Sequence, residues 1–154
     1  MPNIGEKAPD FVLYDSEKKQ RKLSEFLTKG RKTILAFFPG AFTGVCTQEM
    51  CSFRDMHGEL QKLNGVVVGV SVDAPFAQKA FVEKNGLTFP LLCDFKREVI
   101  QTYGVVWKNL GGVEGYVCAN RAIFLLDDSG KVIFKWVADN PGQLPDFEAI
   151  KKAL

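Results

Sequence analysis

The chain alternates between short apolar runs and segments whose apolar residues recur at helical spacing. Thr33–Phe38 and Val66–Val72 are continuous apolar runs with the length expected for strands buried on both faces. Ala122–Leu126 and Val132–Val137 form a second pair, separated by two aspartates, a serine and a glycine, a sequence typical of a hairpin turn. Phe89–Leu92 is a weaker candidate. The pattern therefore predicts five strands.

Between these runs the apolar period is that of a helix. The longest such segment begins near Thr43–Cys46, and its apolar face is formed by Cys46, Met50, Phe53, His57 and Leu60. Three further segments have helical character: Phe76–Lys84, Arg97–Tyr103 and Asp146–Leu154. The charged run Glu17–Lys22 is interpreted as a solvated turn. This order of elements predicts an α/β fold, a mixed sheet with helices on both faces, of which the thioredoxin-like architecture is one example.

Composition narrows the class of protein. The 154 residues include 20 lysines and arginines against 18 aspartates and glutamates, a net charge of +2, which disfavours a nucleic-acid-binding protein. The length predicts one domain over residues 1–154. The longest apolar stretch, Ile34–Phe42, is about half of what a membrane span needs and contains Pro39. We therefore expect a cytoplasmic protein with no membrane partner.

The four cysteines are the chemically informative residues: Cys46, Cys51, Cys93 and Cys118. A domain of this size without a secretory signal does not need disulfide staples, so reduced thiols with a chemical role are expected. No Cys-x-x-Cys pair is present and His57 is the only histidine, so neither a metal site nor another cofactor is predicted. The absence of a Cys-x-x-Cys pair also disfavours a dithiol–disulfide oxidoreductase, because that activity on this fold uses two cysteines at this spacing.

Cys46 has the most distinctive position. A strand ends at Phe38, Pro39 and Gly40 break it, and the long helix begins near Thr43, which puts Cys46 in the first helical turn. Unpaired N–H groups and the helix dipole favour an anion there, so the thiolate is expected to be stabilised. Thr43 can cap the helix, or its hydroxyl can hydrogen-bond to a molecule that binds beside the sulfur. The alternative is that Cys46 is simply a buried apolar side chain.

The spacing Pro39-x-x-x-Thr43-x-x-Cys46 resembles the active-site signature of the peroxiredoxins, thiol peroxidases of thioredoxin-like fold. Glu49 matches a family glutamate that orients an arginine, and Arg121 matches the family's second essential basic position. The resemblance implies that Cys46 attacks a hydroperoxide and becomes a sulfenic acid. It also implies that Thr43, Arg121 and first-turn N–H groups stabilise the reacting oxygens, while Pro39 shields the pocket.

The resemblance leaves the fate of the sulfenic acid open. Cys51 follows Cys46 by five residues, as in the bacterioferritin-comigratory (Q-type) branch, where the second cysteine forms a disulfide within one subunit. An intact helix would separate the two Cα atoms by about 8.7 Å, whereas a disulfide needs about 4.4–6.8 Å. Resolution by Cys51 therefore requires the helix to unwind. Cys118 is the alternative resolving residue, and Cys93 is expected to be buried and inert.

The loop Ala41–Val45 is more similar to the one-cysteine AhpE-type branch, in which an external thiol resolves the sulfenic acid. The implied partners are a hydroperoxide and a thioredoxin- or glutaredoxin-like protein reductant. The protein is expected to be a monomer or a homodimer, and an apolar patch at Phe38–Phe42 would suit a dimer seam. A redox-sensing or chaperone function remains an alternative to the peroxidase.

Overall fold

The computed structural model describes residues 1–154 and contains nine β-strands. In chain order they are β1 (Val12–Asp15), β2 (Gln20–Lys22), β3 (Lys32–Phe37), β4 (Gly65–Ser71), β5 (Leu91–Cys93), β6 (Val106–Lys108), β7 (Val117–Ala119), β8 (Ala122–Leu126) and β9 (Val132–Val137). Seven strands form one mixed sheet in the order β2-β1-β5-β4-β3-β8-β9, and β6 and β7 form a separate antiparallel hairpin.

Five α-helices and two short 3-10 helices complete the fold. The α-helices are α1 (Gly44–Asp55), α2 (His57–Lys62), α3 (Pro75–Asn85), α4 (Glu98–Thr102) and α5 (Phe147–Ala153), and the 3-10 helices are Leu23–Phe26 and Leu110–Gly112. Helix α3 ends at Gly86, whose left-handed conformation (φ 58°) provides the C-cap. Helix α5 begins after Asp146, whose carboxylate accepts the N–H of Ala149. No helix of the chain has both the length and the apolar character needed to cross a membrane.

The sheet is buried on both faces because its central strands carry apolar side chains on alternate sides. On β3, Ile34 and Ala36 face one apolar cluster, while Leu35 and Phe37 face the other. The first cluster also contains apolar residues of α1, α2, α3 and α5, and the second contains residues of α4 and of the β6–β7 hairpin. The predicted mixed sheet with helices on both faces is therefore confirmed.

The predicted strands of the central sheet are confirmed, and β8 and β9 have the expected bounds. The strand predicted at Phe89–Leu92 is present as β5, but it begins and ends later, at Leu91–Cys93. The interpretation of Glu17–Lys22 as only a turn is wrong, because Gln20–Lys22 pairs with β1 as an edge strand. Strands β1, β6 and β7 were not predicted. These strands have only three or four residues each, too few for an apolar period to be recognised.

The single helix predicted from Cys46 through Leu60 is in fact two. Helix α1 ends at Asp55, and α2 begins at His57 after Met56, whose ψ of 2° departs from helical geometry. Gly58 in the first turn of α2 has low helix propensity and contributes to this interruption. Met50, Phe53 and Leu60 nevertheless remain buried in one cluster, so the apolar face was assigned correctly.

The pairing of three strands determines where functional groups can meet. Strands β3 and β4 are parallel, with Phe37 opposite Val70, so their carboxyl ends lie at the same edge of the sheet. Strand β8 runs antiparallel to β3 and starts at that edge, since Ala122 pairs with Phe37. The loop before α1, the segment after β4 and Arg121 before β8 are therefore neighbours, although they are far apart in sequence.

Candidate active site

Cys46 lies in the first turn of α1, as predicted. The hydrogen bonds of this helix begin with the N–H of Thr47 bonding to the carbonyl of Thr43 at 2.9 Å. The N–H groups of Gly44, Val45 and Cys46 consequently have no partner within the helix. This helix start offers free donors and the positive end of a helix dipole to an anion beside the sulfur.

Arg121 provides a positive charge in direct contact with Cys46. Its Nη2 lies 3.3 Å from the Sγ of Cys46, although the two residues are 75 positions apart in the chain. Both side chains are buried, at 1% and 0% exposure. The guanidinium is thus positioned to donate a charge-assisted hydrogen bond to the sulfur.

Glu49 contacts the opposite side of the same guanidinium. It follows Cys46 by three residues on α1, so both side chains leave the helix on the same face. Oε1 of Glu49 accepts a hydrogen bond from Nη1 of Arg121 at 2.9 Å, and Oε2 has no partner. Burial raises the pKa of Glu49 to about 7, and the charge of Arg121 opposes this rise only in part. Burial opposes ionisation of Arg121, but the neighbouring Glu49 and Cys46 outweigh it and raise the pKa of Arg121.

Two further groups that orient Arg121 were not identified from the sequence. The carbonyl oxygen of Pro141 accepts hydrogen bonds from Nε at 3.2 Å and from Nη2 at 2.7 Å. The side chain of Asn120 accepts the N–H of Arg121 at 2.8 Å and donates to the carbonyl of Ala138. Asn120 could have been suspected as an amide next to Arg121 between two apolar segments, but a backbone carbonyl has no sequence signature.

Thr43 occupies the N-cap position of α1, but its side chain does not cap the helix. The hydroxyl instead donates its hydrogen to the carbonyl of Gly40 at 2.8 Å. Of the two roles considered for Thr43, the side-chain cap is therefore not formed, and the hydroxyl oxygen accepts no N–H of α1. With its hydrogen engaged, Oγ1 can still accept a hydrogen bond from a ligand through its lone pairs.

A cavity of about 380 Å³ opens next to these groups. It is bordered by the start of α1, the 3-10 helix at Leu110 and the loop after β9: Pro39, Thr43, Gly44, Val45, Leu110, Gly111, Arg121, Pro141 and Gly142. Another cavity, of about 360 Å³, lies between β1 and α4 and is lined by none of the predicted site residues. The site residues Pro39, Thr43 and Arg121 are thus brought together around one opening, with Cys46 and Glu49 behind Arg121.

The predicted apolar patch at Phe38–Phe42 is largely absent from the surface. Phe38 has no exposed surface, because it packs in the apolar cluster between the sheet and the helices, where its ring contacts Phe81 of α3. Phe42 is 55% exposed and has a φ of 66°, which is unusual for a residue with a side chain. The exposed part of the patch is therefore Phe42 alone.

The remaining cysteines differ sharply in their surroundings. Cys51 lies on α1 with Cys46, is half-buried, and its Sγ lies 3.7 Å from Oδ1 of Asn85. Cys93 and Cys118 are buried, and burial raises their pKa values to about 12 and about 11. Cys118 belongs to a different apolar cluster from Cys46, although it is near enough for the charge of Cys46 to add to the rise in its pKa. All four thiols are free, and no group of His, Cys, Asp or Glu residues is arranged to hold a metal ion.

Comparison with known proteins identifies the family and the fold of the chain. The profile of the AhpC/TSA family matches residues 4–135. The chain is 38% identical over 136 residues to peroxiredoxin Bcp of Bacillus subtilis, covering 86% of this chain and 83% of the relative. It is 40% identical over 134 residues to a putative peroxiredoxin bcp of Coxiella burnetii, covering 86% and 87%. The crystal structure of peroxidoxin BcpB from Mycobacterium tuberculosis superimposes with a TM-score of 0.83 at 29% identity, covering 99% of this chain and 94% of that one. The thioredoxin-like fold is confirmed.

Proposed function

The chain belongs to the AhpC/TSA family of peroxiredoxins and is a peroxidase, and from this premise we propose that Cys46 is the residue that reduces hydrogen peroxide and organic hydroperoxides. The observation that carries the proposal is the contact of 3.3 Å between the Cys46 sulfur and the Arg121 guanidinium at the start of α1. A buried thiol in contact with a buried cation beside unpaired N–H groups has the surroundings of a nucleophile rather than of a packing residue.

The reaction transfers one oxygen to sulfur. The thiolate of Cys46 attacks one peroxide oxygen, an S–O bond forms and the O–O bond breaks, and the leaving oxygen departs as water or alcohol after taking up a proton. Sulfur is oxidised to a sulfenic acid and the peroxide is reduced. Because negative charge moves from sulfur to oxygen during this step, groups that contact both atoms lower the barrier.

The residues around the cavity can supply that stabilisation. Arg121 and the free N–H groups of Val45 and Cys46 are donors, suited to the oxygen on which charge develops. Thr43 acts in the opposite sense, since its hydrogen is engaged by Gly40 and its oxygen is left to accept the peroxide O–H. One acceptor and several donors would hold an asymmetric peroxide in a single orientation.

Cys46 has no exposed surface, so a peroxide must displace part of the cavity wall to reach the sulfur. Part of the wall has no side chain to move aside: Gly111 and Gly142 line it, and Pro141 contacts Arg121 only through a backbone carbonyl. Pro39 lines the same opening and would limit access of water to the sulfenic acid. Restricted access favours small hydroperoxides over bulky oxidants.

For the second half of the cycle, we propose that Cys51 attacks the sulfenic acid and forms an intrasubunit disulfide, which a thioredoxin- or glutaredoxin-like protein then reduces. Helix α1 is continuous from Gly44 to Asp55, so the two cysteines are separated by intact helix and the first turns must unwind. Cys51 is half-buried, whereas Cys93 and Cys118 are buried with pKa values raised by that burial. Cys51 is therefore the thiol best able to react.

The test compares four variants: Cys46→Ser, Cys51→Ser, Cys93→Ala and Cys118→Ala. Peroxide consumption is followed with dithiothreitol and with a thioredoxin system, and oxidised protein is digested and analysed by mass spectrometry. Cys46→Ser should be inactive in both assays. Cys51→Ser should remain active with dithiothreitol, lose thioredoxin-supported turnover and accumulate over-oxidised Cys46. The two alanine variants, which remove the buried thiols, should retain both activities.

Each result has a distinct meaning. Normal peroxide consumption by Cys46→Ser would refute the assignment of the nucleophile. Full thioredoxin-supported turnover of Cys51→Ser would keep Cys46 as the nucleophile but show that Cys51 does not resolve the sulfenic acid. The enzyme would then follow the one-cysteine cycle, in which an external thiol resolves it. If digestion of oxidised wild-type protein yields a disulfide-linked peptide that contains Cys46 and Cys118, then Cys118 is the resolving cysteine and the assignment of Cys51 is wrong.

A further inference from the structure

A chain of hydrogen-bonded polar side chains leads from α3 to the loop in front of Cys46. Nε2 of Gln78 donates to the hydroxyl of Ser71 at 2.7 Å, and this hydroxyl donates to Oδ2 of Asp73 at 2.6 Å. The same Oδ2 accepts the N–H of Ala41 at 2.8 Å. Gln78 and Ser71 have no exposed surface, so water does not compete for the bond between them, whereas Asp73 and Ala41 are half-buried. None of the three side chains lines the cavity or contacts Cys46.

Asp73 is the external anchor of the loop from Pro39 to Phe42. The N–H of Ala41 is the one backbone donor of these residues that has a hydrogen-bond partner. The carboxylate is held by the hydroxyl of Ser71, which ends β4. That hydroxyl is in turn held by Gln78 of α3, which also donates to the carbonyl of Leu92. The side chain of Asp73, which is not part of the site, therefore fixes the position of the loop at the edge of the sheet.

The contact reaches Thr43 through a single rigid unit. The N–H of Ala41 and the carbonyl of Gly40 belong to the same peptide group, which is planar and trans, so the two bonds point in opposite directions. One end of this group bonds to Asp73, and the other accepts the hydroxyl hydrogen of Thr43 at 2.8 Å. Orienting the N–H toward Asp73 thus orients the carbonyl toward Thr43.

We propose that Asp73 is a positioning residue for the peroxidase reaction: through the Gly40–Ala41 peptide it directs the Thr43 hydroxyl so that its oxygen accepts the peroxide O–H. The inference rests on the proposed roles of Cys46 and Thr43. Without Asp73 the peptide can rotate, the hydroxyl hydrogen loses its fixed acceptor, and Thr43 presents a donor or an acceptor at random. The contact between Arg121 and Cys46 is untouched by this change, so the sulfur remains as nucleophilic as before.

Two rates measured on the full-length reduced protein separate orientation from ionisation. The first is the rate of a single turnover with hydrogen peroxide, and the second is the alkylation of Cys46 by iodoacetamide, followed by mass spectrometry. Iodoacetamide reports on the thiolate and does not need Thr43. We expect Asp73→Ala to slow the peroxide reaction by roughly 10- to 100-fold, the range for misplacing a reacting group, and to leave alkylation at the wild-type rate.

Three further variants make the test specific. Asp73→Asn keeps an oxygen that can accept from Ala41 and should recover most of the rate. Asp127→Ala removes a carboxylate that also accepts backbone N–H groups, in the turn between β8 and β9, and should react as wild type. In a Thr43→Val background, Asp73→Ala should cause no further loss, because the two residues act through one path.

The inference is overturned if Asp73→Ala reacts with peroxide as fast as wild type, if its alkylation slows by the same factor, or if its effect adds in full to that of Thr43→Val. Failure of the proposed function would look different. In that case Thr43→Val and Cys46→Ser would themselves react at the wild-type rate.

Discussion

Glu49 and Arg121 form an ion pair without access to solvent, in which Oε1 lies 2.9 Å from Nη1 and Oε2 has no partner. The same guanidinium contacts the sulfur of Cys46. One cation therefore serves two groups that can each carry a negative charge, in surroundings where an excess of negative charge is costly. The charge of Glu49 consequently affects both the stability of the fold and the nucleophile.

The first prediction concerns the pH dependence of stability. Burial raises the pKa of Glu49 from 4.5 to about 7, so between these values the unfolded chain has released a proton that the folded protein still holds. The contribution of Glu49 to stability therefore falls as the pH rises through this window and is least favourable above it. Glu49→Gln keeps an acceptor for Arg121 but cannot ionise, so it should lack this decline.

Urea unfolding of wild type and Glu49→Gln, at pH values below, within and above this window, measures the difference. The free energy of unfolding of wild type should decrease relative to the glutamine variant as the pH rises. Parallel pH profiles for the two proteins would contradict the raised pKa.

The second prediction separates Arg121 from other arginines. Arg121→Lys keeps a positive charge but loses the planar set of donors that reaches Cys46, Glu49 and Pro141 together. We expect the peroxide reaction to slow by roughly 10²- to 10³-fold, as for the loss of one transition-state donor. Iodoacetamide alkylation of Cys46 should slow as well, in contrast to Asp73→Ala.

Arg97→Lys is the matched control, because Arg97 also donates to a backbone carbonyl, that of Val117, but does not line the cavity. It should retain the wild-type rate in both assays. Equal losses in the two lysine variants would mean that the effect on Arg121 is one of folding rather than of site chemistry.

The third prediction concerns release of the resolving thiol. Oδ1 of Asn85 accepts from the Sγ of Cys51 at 3.7 Å, which ties α1 to the end of α3 in the reduced protein. Asn85→Ala removes this contact but keeps the backbone carbonyl that accepts from Arg54. Loss of one such bond should speed formation of the Cys46–Cys51 disulfide by roughly two- to tenfold, given about 0.5–1.5 kcal/mol per hydrogen bond.

Mass spectrometry of protein treated with increasing peroxide provides the measurement. Asn85→Ala should show less over-oxidised Cys46 than wild type, since faster resolution competes with a second oxidation. Ser52→Ala, which removes a hydroxyl bonded within α1 on the exposed face, should match wild type. If Asn85→Ala increased over-oxidation, Asn85 would instead assist the approach of Cys51.

The fourth prediction tests how α1 is anchored. Phe53 is fully buried and makes edge-to-face contacts with Phe89 and Phe147, which link α1 to the segment before β5 and to α5. Phe53→Ala should lower the free energy of unfolding by about 3–5 kcal/mol. Phe76→Ala, at a position that is 73% exposed, should change it by less than about 0.5 kcal/mol. Denaturation followed by circular dichroism distinguishes these values, and equal effects would contradict the assigned core.

The parts of the fold that could be predicted are those with strong burial. Strands β3, β4 and β8 are covered on both faces, so they appear in the sequence as unbroken apolar runs. The short edge and hairpin strands β1, β2, β6 and β7 are held by pairing with neighbours, which leaves no periodic signal in so few residues. The interruption at Met56 is likewise invisible, because the apolar positions on its two sides keep helical spacing.

The site divides in the same way. Cys46, Thr43 and Glu49 belong to one segment, so their spacing on a helix start carried information, and Arg121 was found through resemblance to a family. Asp73 and the carbonyl of Pro141 could not be found in either way. Asp73 bonds to Ala41, which is 32 residues away in the chain and is brought near only by the pairing of β3 with β4. The carbonyl of Pro141 is a backbone group, which any residue could supply.

The interruption at Met56 limits how far any rearrangement of α1 can spread. Helix α2 lies beyond it and has contacts of its own: Leu60 is buried, and Glu59 forms an ion pair of 3.0 Å with Lys151 of α5. Unwinding that brings Cys51 toward Cys46 can therefore end within the 12 residues of α1. Met50 and Phe53 lie in the second half of α1 and are fully buried, so unwinding confined to the first turns would leave these two core side chains in place through each turnover.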